Sequence, residues 1–148
     1  MHFEDLSAYQ YDLPKPLEGV MTVGWLSSSA PFQQGAVSQE FSVALKRLLI
    51  TNRVNKTRGY HRCELCSVNE IYVCTGNKEK IRLGSAELWL RSERNQSIYA
   101  APDLIWHYIF DHGYLPPVPF VDAVIESLAG INWNANEEAR RLLDSAFL

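Results

Sequence analysis

Two thiols and an imidazole fall within six consecutive positions of Arg58-Gly59-Tyr60-His61-Arg62-Cys63-Glu64-Leu65-Cys66, and no other stretch of the chain is as chemically dense. Cys63 and Cys66 stand in Cys-x-x-Cys spacing, which lets both thiolates reach one metal ion across a tight turn. His61, two residues before Cys63, can point to the same side of an extended segment. These are three of the four ligands of a tetrahedral zinc site. The fourth must come from elsewhere, and the sources are His107 and His112 in Trp106-His107-Tyr108-Ile109-Phe110-Asp111-His112-Gly113-Tyr114. A buried helix beside the knuckle is where a ligand would close the tetrahedron, so His107 is expected; His112, beside Gly113, is expected to be more exposed and to act as a cap. The predicted shell is therefore His61, Cys63, Cys66 and His107, holding a structural zinc. Without a metal, the same residues form either a redox-silent turn with packed thiols or a nucleophilic pair, Cys63 or Cys66 activated by His61 or His107.

A chain of 148 residues buries a core without staples, which sets one domain, 1–148, as the expectation. Three cysteines cannot form an even disulfide framework, and in a reducing compartment a Cys-x-x-Cys pair reads as metal-binding or redox-active. The acidic start Met1-His2-Phe3-Glu4-Asp5 has no basic or apolar leader, and no run is long enough to cross a bilayer. A cytoplasmic protein is expected. Cys74, in Ile71-Tyr72-Val73-Cys74, reads as a buried strand residue.

The net charge of −3 is unevenly spread. Lys46, Arg47, Arg53, Lys56, Arg58 and Arg62 fall between Phe41 and Cys63 with no acid among them. Of these, Lys46, Arg53, Lys56, Arg58 and Arg62 are the candidate nucleic-acid contacts. The alternative is a solvated helix end and loop, with Lys46, Arg47 and Arg53 complementing the carbonyl end of a helix dipole.

Residues 1–18, with Leu13-Pro14-Lys15-Pro16, suit an extended arm laid over the domain. Gly19 to Leu26 alternates as a strand. Ser38 can cap a helix whose Phe41, Ala44, Leu45, Leu48 and Leu49 recur at helical spacing. Glu70–Thr75 and Ile81–Arg91 read as strands joined by the hairpin turn Gly76-Asn77-Lys78-Glu79, with a bulge at Gly84-Ser85. Ser97–Ala100 adds a further strand. A helix from Pro102 to His112 stops at Gly113, a second follows Pro116-Pro117-Val118-Pro119 and closes at Gly130, and a third opens at Asn134 with Glu137 completing a capping box. Glu87 and Asp111 could support a metal-bound imidazole, although for Asp111 solvent-facing charge is the simpler reading. Trp25, Trp89, Trp106 and Trp133 are expected in the core. The fold class is α+β: a small, mainly antiparallel sheet packed against a buried helix, with further C-terminal helices and a Cys/His knuckle.

Three stretches carry a resemblance: Arg58 to Cys66, Leu83-Gly84-Ser85-Ala86-Glu87, and Tyr99 to Pro117 with its Tyr-Ala-Ala-Pro, His-Tyr and His-Gly-Tyr-x-Pro-Pro elements. Together they resemble a family of small bacterial proteins of uncharacterised activity, over roughly residues 20–128. The resemblance implies no reaction or substrate. No Ser/His/Asp set, phosphate-binding glycine loop or His-Glu-x-x-His motif points to an enzyme. The expected function is a non-catalytic, zinc-stabilised domain that binds another protein, such as an immunity or antitoxin-like neutraliser binding a toxin. A nucleic-acid-binding zinc module ranks second and a Cys/His or zinc-dependent enzyme third.

Overall fold

The computed structural model describes all 148 residues. In chain order the elements are β1 (Val20–Thr22), α1 (Gln39–Thr51), β2 (Arg53–Val54), β3 (Tyr72–Gly76), β4 (Glu79–Arg82), β5 (Glu87–Arg91), β6 (Ile98–Pro102), α2 (Ile105–His112), α3 (Val118–Glu126) and α4 (Ala135–Ser145). A 3-10 turn, Ser127–Ala129, extends α3 to Gly130. The fold is α+β, and no helix is long and apolar enough to cross a membrane.

Four strands form the central sheet in the order β1-β6-β5-β2, and β3 with β4 makes a separate two-stranded hairpin. Pairing is antiparallel except between β1 and β6, which run parallel with Val20 opposite Ile98. Short connections favour antiparallel neighbours, but β1 meets a strand that returns only after α1 and the whole knuckle region, so no such constraint acts on that pair. The predicted first strand is shorter than its alternation suggests. After Val23, whose amide donates to the Ala100 carbonyl at 3.1 Å, Gly24 turns the chain at φ 78 and packs against Ile105.

The largest departure lies in Ile81–Arg91. In place of one continuous strand the segment splits, Ile81 staying with the hairpin and Glu87–Arg91 entering the central sheet. Gly84, at φ 113, makes the break, and the anticipated bulge is a change of sheet. In the hairpin, Val73 is buried while Tyr72 and Cys74 on the opposite face are exposed. Cys74 is therefore a surface thiol and not a core residue: strand alternation places it out once Val73 points in.

Alternation along β5 and β6 divides the core. Leu88, Leu90, Tyr99 and Ala101 face α1, α2 and α3, whose Phe41, Leu45, Leu48, Ile105, Phe120 and Val124 complete that layer. Trp89 and Ala100 face the other way, against Tyr9 and Leu17 of the N-terminal segment, Ala135 and Ala139 of α4, and Ala146 just past its end. The N-terminal arm lies along β1: the Leu6 amide donates to Thr22 O at 2.7 Å and the Tyr9 amide to Val20 O at 3.0 Å. Trp25, Trp89 and Trp133 are buried. Trp106 is only half-buried, stacked on Phe110 with centroids 4.2 Å apart.

The helix signals act as expected at two starts. Ser38 Oγ accepts from the Phe41 amide at 3.1 Å, and Asn134 Oδ1 accepts from the Glu137 amide at 3.0 Å, although the Glu137 carboxylate returns no bond and the expected capping box is only half made. The last turn of α1 carries no basic residue, contrary to the dipole argument: Lys46 and Arg47 are mid-helix and Arg53 lies on β2.

Candidate metal centre

The knuckle is anchored by its backbone. The His61 amide donates to Gly84 O at 2.8 Å, and the His61 carbonyl lies 2.6 Å from where a Cβ on Gly84 would stand. Only glycine allows that approach at that φ. One turn later the Leu65 amide donates to Cys63 Sγ at 3.3 Å, the bond that folds Cys63-Glu64-Leu65-Cys66 around its sulfurs. Across from it, α2 ends at Gly113, which adopts φ 70, and Tyr114 is fixed by its hydroxyl donating to Asp5 Oδ2 at 2.8 Å. This stop leaves His112 on the last turn, free to lean back toward His107.

Cys63, Cys66, His107 and His112 converge, each offering one ligand atom, all within 4.8 Å of one another, close enough to hold a metal ion. Cys63 Sγ is 3.5 Å from His112 Nε2, Cys66 Sγ is 3.4 Å from His107 Nε2, and the two Nε2 atoms are 3.2 Å apart. With metal bonds of about 2.3 Å to sulfur and about 2.0–2.1 Å to nitrogen, a tetrahedron has S···N edges of about 3.6 Å and N···N edges of about 3.3 Å. The observed separations match both. The donor set, two soft thiolates and two imidazoles, suits zinc.

The surroundings supply further support. His107 Nδ1 lies 2.6 Å from Asp111 Oδ2, one helical turn on, so its N–H donates to the carboxylate and leaves Nε2 with its lone pair aimed at the cluster. With no cation present, burial pushes the Cys63 thiol up to about 11, and burial together with His107 lowers His112. A divalent cation reverses the first effect, because it favours the thiolates it binds.

The structure brings together Cys63, Cys66 and His107 from the predicted shell, and His112 takes the place expected of His61. The His61 side chain is exposed and outside the group; its contribution is the backbone clamp on Gly84. Asp111 is not merely a solvent-facing charge, since it holds His107. Glu87 does not support an imidazole: it accepts from Tyr9 Oη at 2.8 Å, Trp89 Nε1 at 3.1 Å and Asn55 Nδ2. The basic residues are not all free at the surface. Arg53 turns inward to Asp103 at 3.4 Å and Lys46 lies over the Trp106 ring, while Lys56, Arg58 and Arg62 are exposed.

Residues 1–125 match the model of a family described as a domain of unknown function, DUF7919. The chain belongs to this family. The DUF7919 match takes in the N-terminal arm, the knuckle, α2 and all but the end of α3, so every cluster residue lies within it. No curated protein and no solved structure matches the chain.

Proposed function

We propose that the domain holds one structural zinc through Cys63, Cys66, His107 and His112 and works by binding another protein rather than by catalysis. The observation that carries this reading is the closed ligand set. Four protein donors, three of whose separations match tetrahedral edges, leave no corner for a water or substrate, which is the arrangement of structural sites. Such a shell ties the loop at 63–66 to the end of α2, and its binding free energy becomes folding free energy.

The interaction reading draws on the surface beside the site. Phe110, 42% exposed, stacks on Trp106, and Lys46 lies over the same indole ring at 5.3 Å. Exposed aromatics of this kind are enriched where proteins meet. The nucleic-acid alternative loses Arg53 to its ion pair and Lys46 to its ring, which leaves Lys56, Arg58 and Arg62.

Elemental analysis of the purified chain tests the metal. One equivalent of zinc and a lower melting temperature after chelation are expected. A metal-free protein with Cys63 and Cys66 freely titratable and an unchanged melting temperature would reject the site. Retention on DNA or RNA that weakens steeply with salt would instead favour the basic residues.

A further inference from the structure

Beside the knuckle, Arg62 and Glu64 border a cavity of about 110 Å³. Besides Glu64, two buried acids line it, Glu87 and Asp103, 5% and 0% exposed. Glu87 is held only by neutral donors, the Tyr9 hydroxyl, the Trp89 indole and the Asn55 amide. Asp103 Oδ1 accepts from the Gly84 amide at 2.8 Å, whereas Oδ2 makes no hydrogen bond and has only Arg53 Nη2 at 3.4 Å. The Ser85 hydroxyl, 2% exposed and lining the same cavity, has no partner at all.

Of the two buried carboxylates only Asp103 thus has a guanidinium beside it, and two buried oxygens, Asp103 Oδ2 and Ser85 Oγ, are left with unused hydrogen-bonding capacity. Burial raises the pKa of Glu87, and Asp103 raises it further; burial lifts Asp103 itself to about 6. The Met1 ammonium does not neutralise them, being held by Glu64 at 3.2 Å, and Arg62 is exposed. A buried charge in this position is compensated by a cation that also donates hydrogen bonds. Three aromatic residues, Tyr11, Trp25 and Tyr108, also line it, with the Tyr11 and Trp25 rings 5.4 Å apart and tilted by 30°. Ring faces attract a planar cation. A metal ion fits less well, since the only cluster of three or more metal-ligating side chains is the Cys/His group.

We propose that this cavity is a binding site for a small planar organic cation of the guanidinium or amidinium class, taken up by Asp103, Glu87 and Ser85 against the Trp25 and Tyr11 rings. Such a group offers several N–H donors in one plane, matching acceptors on more than one side of the cavity.

Calorimetric titration of the full chain with methylguanidinium tests this, with methylurea as the neutral isostere. N-acetylarginine amide carries the same cation on a side chain, so its affinity relative to methylguanidinium tells a peptide-borne source from a free one. Saturable binding of either cation, absent with methylurea and at least about tenfold weaker in Asp103→Asn and Glu87→Gln, is expected. Thr57 stands exposed among the lining residues and its hydroxyl reaches only the Gly59 and Ser85 carbonyls, so Thr57→Trp should block entry while leaving both acids in place and gives the same reading if the acid variants fail to fold. No saturable binding of either cation, equal binding of methylurea, or unchanged binding in Thr57→Trp overturns the proposal.

Discussion

At the scale of single residues, the four cluster side chains differ in how they are held. Cys63 and His107 are buried, whereas Cys66 and His112 are half-buried and close the shell from the solvent side. Removing either outer ligand should open the site. Cys66→Ser and His112→Ala are expected to lose zinc and destabilise the fold by more than about 4 kcal/mol, while His61→Ala keeps both metal and melting temperature. Zinc stoichiometry and melting curves on the three variants check this; a His61→Ala protein without zinc would return that residue to the shell. Asp111 makes its hydrogen bond to His107 Nδ1. Asp111→Asn should therefore leave one zinc per chain but weaken its affinity by about 10–100-fold, measurable by competition with a chromogenic chelator.

Among the elements, the break between β4 and β5 matters most, because it lets the knuckle, the Leu83–Glu87 segment and the approach to α2 meet at one point. Gly84 O accepts from His61, Gly84 N–H donates to Asp103, and the Ser85 carbonyl accepts from the Thr57 amide at 2.7 Å. A side chain at Gly84 would meet backbone, which cannot step aside, in a region of φ that L residues avoid. Gly84→Ala should cost more than about 3 kcal/mol in denaturant unfolding and loosen zinc binding with it. Gly59 provides the contrast. It lies in the same knuckle with no positive φ, and a methyl added there would have nothing within 4 Å, so Gly59→Ala should stay within about 0.5 kcal/mol of the parent.

For the molecule as a whole, stability should depend on pH through the acids under the sheet as well as through the metal site. Asp103 is lifted from 3.8 to about 6 by burial, which the Gly84 amide and Arg53 only partly oppose. Its folded-state pKa lies above the unfolded one, so the folded chain holds this proton more tightly. The contribution is fully present below about pH 4 and is lost as pH rises through about 6, a span of about 3 kcal/mol. A metal ion held by the cluster would act in the opposite sense, because acid protonates thiolates and imidazoles and releases it. The comparison of parent and Asp103→Asn isolates the first effect: the stability difference between them should shift in favour of the variant between pH 4 and pH 7. An equal pH profile in both would show that Asp103 titrates at its ordinary value.

Much of this architecture is written locally. Helical periodicity and the Ser38 cap specify α1, the Asn77 and Lys78 pair, both at positive φ, specifies the hairpin, and Gly113 ends α2, because each depends on neighbours a few residues apart. The Cys-x-x-Cys turn is legible for the same reason, and so is the link from His107 to Asp111, since residues four apart share a helix face. What local sequence could not decide was which imidazoles complete the shell. His61 is close to Cys63 along the chain, but the clamp on Gly84 spends its backbone there and leaves its ring outside; His112 is 49 positions away from Cys63 and arrives only because α2 stops where it does and packs beside the knuckle. Likewise Glu87 and Asp103 carry no sequence signal as a pair, and their shared cavity exists because a strand breaks at Gly84 and two sheets diverge. Contacts within a turn or a helix are set by spacing, whereas those between distant segments are set by how the layers pack.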